Sequence, residues 1–246
     1  MTTVRIVRVL PKLLSLNGSQ GNADVLAIRA SWFGFDVEQT VLDVGTTPSR
    51  QPDIVVWGSG TSSVLPRVLD AVSGWHSALS DWYQAGTAFV GIGLGGDVLG
   101  ASVTGLGETS AREGIGLTPV VTVLGGTRLS GECVGVDYRG REVAGFINDH
   151  ATRTVDHSTP LMTLHHPDIG DWSGATAPRA DGVVSDQLWV ATMSGPLMAM
   201  NPAIADDVLA HWASRHGIEL PAPSDSHRRA DSWAESARAG IRSRVA

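Results

Sequence analysis

Phe89-Val90-Gly91-Ile92-Gly93-Leu94-Gly95-Gly96-Asp97-Val98-Leu99-Gly100 decides how the chain is read. The apolar run from Thr87 to Ile92 has the length and β-branched content of a strand buried on both faces. Glycines follow at once, and the residues after them read as a short helix. Gly91 to Gly96 also spells G-x-G-x-x-G, the pattern in which glycine lets backbone approach a pyrophosphate at a helix N-terminus. Two features weigh against that reading. This is the fourth strand along the chain, and the acid that should end the next strand is missing: Glu113 lies at about the right distance but in a Gly- and Ser-rich loop. A tight strand-to-helix turn that demands small residues is the favoured reading.

Outward from this turn, the first half alternates strands with helices. Val4 to Leu10 and Phe35 to Leu42 read as strands, with a polar loop Asn17-Gly18-Ser19-Gln20-Gly21-Asn22 between them. A helix spans Asp24 to Phe33, with Val25, Ile28 and Trp32 as its apolar face and Gly34 ending it. Asp53 to Trp57 is a further strand, followed directly by Gly58-Ser59-Gly60, and Val64 to Gln84 reads as one long helix with Pro66 in its first turn. This order predicts βαβ units and a mostly parallel sheet covered on both faces, with ligands beyond the carboxyl ends of the strands. The turns after Trp57 and Ile92 lie there.

The second half changes character. Val120 to Leu124, Arg128 to Tyr138, Glu142 to Ile147 and Gln187 to Met193 are strand-like, and the short connections among the first three predict an antiparallel addition. Residues 156 to 180 read as a long polar loop or lid. Pro202 to His216 is a helix with Asn201 as its expected N-cap and Gly217 past its end. Beyond Pro221, five arginines stand against three acids, giving this tail a net charge of +2, and Trp233, Ala237, Ile241 and Val245 recur every four residues. Such a stripe buries an apolar face, on this domain or on a partner.

Composition narrows the function. The chain has 246 residues, 18 basic against 25 acidic groups and a formal charge of −7, which argues against a general nucleic-acid binder and against docking on anionic lipid. No segment approaches the ~18 uninterrupted apolar residues of a membrane span, and a cytoplasmic location is the default expectation. The single cysteine, Cys133, excludes an internal disulfide framework and a Cys-rich zinc site. It falls mid-strand, where a cysteine is a small apolar residue, rather than at the strained turn or basic neighbourhood that a nucleophile needs. His165-His166, with Asp168 and Asp171 nearby, lacks the ligand spacing of a metal site, and no metal is expected.

Several segments, in order, carry a resemblance. Leu13-Leu14-Ser15-Leu16-Asn17-Gly18-Ser19-Gln20-Gly21-Asn22 is similar to the opening loop of class I glutamine amidotransferases of the cobyric acid synthase type (CobB/CobQ-like). Within that family it is most similar to the glutaminase subunit of lipid II isoglutaminyl synthase. Val56-Trp57-Gly58-Ser59-Gly60 resembles the family's strand ending in G-G-G. Phe89 to Gly100 lies without a gap over L-A-I-C-G-G-[YF]-Q-L-L-G. Gly145-Phe146-Ile147-Asn148 with Arg153-Thr154 resembles G-F-E-N-H-x-G-R-T, with one extra residue. Asp181-Gly182-Val183, Ser194-Gly195-Pro196-Leu197 and Asn201-Pro202 resemble E-G-V, H-G-P-[IL]-L and N-P.

The resemblance implies an α/β, flavodoxin-like class I glutamine amidotransferase fold over residues 1–218: a mostly parallel sheet flanked by helices, with added antiparallel strands. Residues 219–246 then form a polar tail with a basic amphipathic helix. In the family a cysteine on the strand-to-helix elbow attacks the glutamine amide, backbone N–H groups stabilise the oxyanion and a histidine moves the proton. Ammonia passes to a partner, which in the most similar relatives is a Mur-ligase-like, ATP-dependent enzyme. Here the nucleophile position is Gly93 and the base position Ser194, while Leu94 and Asp97 replace a glycine and a glutamine. Asp149 or His150 only approximately matches the E-N-H histidine. Loss of both members of a nucleophile–base unit removes most of the rate. The expectation is a pseudo-glutaminase subunit with no catalytic residues and no cofactor, held in a heterodimer or larger complex with a Mur-ligase-like chain. Gly58, Ser59, Gly60, Leu94, Gly95, Asp97, Asn148, His150 and Arg153 would line its residual pocket. The alternatives are a repurposed enzyme using that pocket, or a small-molecule sensor.

Overall fold

In the computed structural model, residues 2–155, 158–165 and 179–245 are described. The first half builds β1 (Thr3–Val9), α1 (Gly21–Trp32), β2 (Asp36–Leu42), β3 (Ile54–Trp57), α2 (Leu65–Val72), α3 (His76–Gln84), β4 (Ala88–Ile92) and α4 (Leu94–Val98). Then come β5 (Ser102–Thr104), β6 (Ala111–Glu113), β7 (Val121–Asp137), β8 (Glu142–Thr154), β9 (Met162–His165), β10 (Arg179–Asp181), β11 (Val183–Ser185), β12 (Leu188–Ala191) and β13 (Met193–Ser194). The chain closes with α5 (Leu197–Met200), α6 (Pro202–Arg215) and α7 (Asp225–Val245).

The main sheet has the order β11-β12-β4-β3-β1-β2, parallel throughout except for the β11–β12 pair. Its strands alternate between two cores, as the two-residue period requires. Ile6, Ile54, Val56 and Val90 face α1 and α6, whereas Val9, Val55, Trp57 and Phe89 face α2 and α3. Each of these large side chains that is fully buried contributes roughly 1.5–3 kcal/mol over its exposed state. A second, mostly antiparallel sheet runs β10-β9-β7-β5-β6, with β8 paired to β7 and β13 paired to β8. It stands over the carboxyl ends of β3, β4 and β12, so it roofs the two glycine turns.

Four local expectations change. The helix read over Val64 to Gln84 breaks into α2 and α3 at Ser73-Gly74-Trp75, where Trp75 is buried and its indole N–H donates to the Thr46 carbonyl at 3.1 Å. The strands read at Val120–Leu124 and Arg128–Tyr138 are one strand, β7, with a register shift between Leu124 and Leu129 and Gly125 at φ +109°. Asn201 holds the N-cap position of α6, but its side chain makes no capping bond: its amide clasps Ala144 of β8 instead, accepting the N–H at 3.1 Å and donating to the carbonyl at 3.0 Å. In α1 the small face with Leu26 packs on the sheet, while Val25, Ile28 and Trp32 turn toward α7.

α7 also differs from the sequence stripe. His227, Ala234 and Ile241 are its buried residues, and Trp233 is 68% exposed. The helix is pinned by charge. Arg29, itself 2% exposed, holds Asp206 of α6 at 2.6 Å and Asp231 of α7 at 2.7 Å, and Arg244 reaches Glu132 of β7 at 2.6 Å. At the start of α7 the His227 ring lies 4.1 Å from Phe33 and 5.3 Å from Trp32, centroid to centroid. Its Nδ1 accepts the Ser224 N–H at 3.1 Å, so in the neutral ring Nε2, which is buried, carries the proton. Burial first, and then the charge of Arg29, push the imidazole below its ordinary value, against the opposing pull of Asp206 and Asp231.

Two predictions follow from these contacts. Arg29→Met strands two carboxylates and lowers the urea-derived unfolding free energy by about 2–3 kcal/mol, less than the roughly 3–5 kcal/mol of a fully buried pair because the aspartates keep some water. Because the folded chain binds the His227 proton more weakly than the unfolded chain, this stabilising term is present above the ordinary imidazole value of about 6.5 and is lost as pH falls below it. His227→Gln therefore flattens the stability profile between about pH 7.5 and 5.5, measured as urea midpoints at stepped pH.

Candidate functional site

Gly93 joins β4 to α4 at φ +50° and ψ −123°, the conformation of the first central residue of a type II′ turn, which glycine takes at little cost. Its N–H donates to the Ala191 carbonyl at 2.8 Å, and its carbonyl accepts the Asp97 N–H at 3.0 Å. The neighbouring glycines serve close packing. A Cβ at Gly95 would collide with the Gly58 carbonyl oxygen, and one at Gly96 would sit 2.6 Å from Val190. The small-residue turn is thus accounted for by α4 lying flush on β3 and β12.

Gly93 has a second neighbour. A Cβ there would run into the hydroxyl of Ser59, which stands where a side chain on the elbow would begin. Ser59 is fixed by the opening loop: its N–H donates to Ser19 Oγ at 2.7 Å, and its carbonyl accepts the Leu16 N–H at 2.8 Å. The Leu94 N–H, the first beyond the elbow, makes a long 3.4 Å contact to Ser59 Oγ. An oxyanion hole needs N–H groups free for charge that develops on the substrate. Here the Ser59 N–H is already committed.

Ser59, Gly60, Gly93, Leu94, Asp97, Asn148, His150, Arg153 and Ser194 line one cleft of about 240 Å³. Gly58 and Gly95 lie beneath it, joined by a 3.1 Å hydrogen bond from the Gly95 N–H. Arg153, from β8, crosses the floor. It donates to Asp97 at 2.6 and 3.0 Å and to Asp149 at 2.6 and 3.1 Å. Thr122 adds a hydroxyl to Asp97 at 2.9 Å, and Arg179 stands 3.6 Å from Asp149. Burial opposes both charges, yet the pairing outweighs it: the Arg153 guanidinium is held protonated above its ordinary range, and the Asp149 carboxyl below its own. The same Arg153–Asp97 pair borders a neighbouring cleft of about 480 Å³ that reaches Asp181. Asp181 is buried and receives both the N–H and the hydroxyl of Thr192.

The remaining sequence candidates are dispersed. Cys133 lies mid-β7, buried in register with Gly145, and burial pushes its thiol up to about 12, with Asp181 adding to the shift. His165 ends β9 at the surface, whereas His166, Asp168 and Asp171, with most of the loop 156–180, lie outside the described residues. Among the described residues no cluster of three or more histidines, cysteines or carboxylates could hold a metal, and no helix is long and apolar enough to cross a membrane. Sequence reasoning missed Ser19 and Arg128. Ser19 sits in a loop already noted, but its bond to Ser59 depends on tertiary packing. Arg128 reaches the cleft only because of the irregularity in β7.

A larger groove of about 790 Å³ lies beside this site, lined chiefly by apolar side chains of α1, α5 and α7, with Phe146, Met193 and Ser194 at its inner end. Trp233 stands on its rim.

A parallel sheet whose fourth strand ends in a glycine elbow, faced by a second glycine turn and roofed by an antiparallel layer, defines the class I glutamine amidotransferase fold. The match of residues 5–195 to the CobB/CobQ-like glutamine amidotransferase domain shows that this chain belongs to that family. Among solved structures it is similar to a chain of PurLQS from Thermotoga maritima, at 13% identity and a TM-score of 0.56 over 87% of this chain and 99% of that one. A glutamine amidotransferase crystal structure gives 12% identity and a TM-score of 0.49, covering 86% of this chain and 99% of the other. No curated protein matches the sequence.

The elbow geometry fixes what substitution there will do. Gly93→Cys costs about 1–3 kcal/mol from backbone strain alone, and the Ser59 collision adds to it. Ser59→Gly restores part of the loss, so a double-mutant cycle of urea midpoints is non-additive. Cys133, held as a buried neutral thiol, stays unalkylated by iodoacetamide at pH 8 in the folded protein and reacts once the chain is unfolded, as read by mass spectrometry.

Proposed function

We propose that this chain is a glutamine amidotransferase-like subunit that does not hydrolyse glutamine and acts as a structural or regulatory partner of a Mur-ligase-like, ATP-dependent amide-forming enzyme. The observation that carries the first half is the elbow. Its central residue is glycine, and the space where a nucleophile would start holds Ser59. Ser194 stands at the base position that the family resemblance assigns, and a hydroxyl does not accept and return a proton near neutral pH as imidazole does. The sole thiol is buried elsewhere and kept neutral. The family's framework remains without a nucleophile–base pair.

The partner rests on the resemblance to the glutaminase subunit of lipid II isoglutaminyl synthase. It is supported by the groove lined chiefly by apolar side chains, with the exposed Trp233 on its rim. In this reading residues 1–218 are the amidotransferase-like domain, and residues 219–246 are a tail that braces the groove. The complex is cytoplasmic, where ATP is available, and the ligase takes free ammonia or another amine directly.

A coupled glutamate dehydrogenase assay of the purified protein, alone and with its ligase, shows no glutamate release from glutamine above a heat-treated control. Release that tracks the protein overturns the inactive reading. Co-expression with a Mur-ligase-like chain gives one species in size exclusion, and Trp233→Glu weakens that association at least tenfold in titration calorimetry. Separate elution of the two wild-type chains overturns the partner.

A further inference from the structure

We propose that the carboxyl half of α7, Arg238–Val245, is an ionic strap over the antiparallel roof: loss of its charge pairs lifts it, and lifting extends the apolar groove along β8. The inference needs neither an inactive elbow nor a ligase. α7 also lies outside the stretch matched to the family, which ends at residue 195.

The two halves of α7 are held differently. In the amino half, His227 and Ala234 are buried, the His227 ring packs on Trp32 and Phe33, and Asp231 pairs with Arg29, itself almost wholly buried. The carboxyl half buries Ile241 alone. Its other holds are polar. Arg244 reaches Glu132 of β7 at 2.6 and 2.8 Å, Arg242 reaches Glu142 of β8 at 2.9 Å, and Arg238 donates to the Met200 carbonyl at 2.6 Å. Residues 238–245 carry three arginines and no acid, so Glu132 and Glu142 supply the charge that holds this segment to the roof. Both pairs stand partly in solvent, and exposed pairs contribute little each. They also weaken with salt, because the screening length falls from about 10 Å at 0.1 M to about 3 Å at 1 M.

The strap spans an apolar row. Across β7 and β8, Glu132 pairs with Phe146, Val134 with Ala144 and Val136 with Glu142. By the two-residue period all six share one face of the sheet. Arg244 and Arg242 grip the first and third of these rows, so Val134 and Ala144 lie between the two holds. Phe146, next along the same face, already lines the groove together with Val25, Ile28 and Trp32 of α1. Lifting the strap joins Val134 and Ala144 to that surface. The closed strap limits the length of an apolar segment that the groove can take, and the open one admits a longer segment.

The test is amide hydrogen exchange on the full chain, read by mass spectrometry in about 0.1 M and about 1 M sodium chloride. In the lower salt the amides of residues 238–245 are protected. In the higher salt they exchange at least fivefold faster, while those of residues 228–234 and of α6 change less than twofold. Glu132→Gln combined with Glu142→Gln brings the fast exchange in low salt and removes the salt response. Asp225→Asn, which breaks an exposed pair at the other end of α7, does neither. Fluorescence of the uncharged dye Nile red rises over the same salt range, and Phe146→Ser lowers that rise at least twofold. Residues 238–245 unprotected in low salt, or indifferent to salt and to the glutamine variants, overturn the strap. Equal acceleration in α6 overturns it too, since the whole fold is then loosening. A flat dye signal overturns the extension of the groove. None of these readouts involves glutamine hydrolysis or a ligase, so the failure of the preceding reading leaves this one standing.

Discussion

One guanidinium ties the molecule together. Arg153 comes from the antiparallel sheet, yet its two carboxylate partners belong to different bodies: Asp149 lies on its own strand, and Asp97 is on the short helix after the elbow. A buried ion pair of this kind is weak evidence for stability, because taking the charges out of water costs about as much as their attraction returns. Its value is geometric. The pair fixes how far the roof stands from the carboxyl ends of the parallel strands, and so sets the height of the cleft. It also divides the space over the elbow into two compartments that share a wall.

This wall explains why the site is electrically asymmetric. Were Arg153 aimed elsewhere, two aspartates would face the elbow, and the cleft would repel anions. With Arg153 between them and Arg179 beside Asp149, the two negative charges are offset inside the protein. The charge balance of the whole chain, negative overall, says nothing about this small region. Local pairing, not net composition, decides what the cleft can attract.

The fold was largely legible because its signals are local. A buried strand such as Ala88–Ile92 is a continuous apolar run, and a glycine elbow is a short string. What was not legible depends on long-range pairing. The apolar face of α1 looked inward by periodicity, but the three residues Val25, Ile28 and Trp32 face α7, because alanines pack closer to the sheet. Asn201 looked like a cap by position, but a buried strand edge competed for its amide and won. In the site, the glycines of the two turns were readable residue by residue. The contact of Ser59 with the elbow, the reach of Arg153 to Asp97 and the arrival of Arg128 at Asn148 join residues 20 to 56 positions apart and leave no trace in spacing.

The contact between Ser59 and the elbow also couples two positions far apart in the chain. A cysteine arriving alone at position 93 would find its space filled, and glycine arriving alone at position 59 would gain nothing. Two residues in the turns after β3 and β4 are thus sterically coupled: a side chain at position 93 needs the Ser59 hydroxyl to turn away, and that hydroxyl is the group nearest the first N–H beyond the elbow.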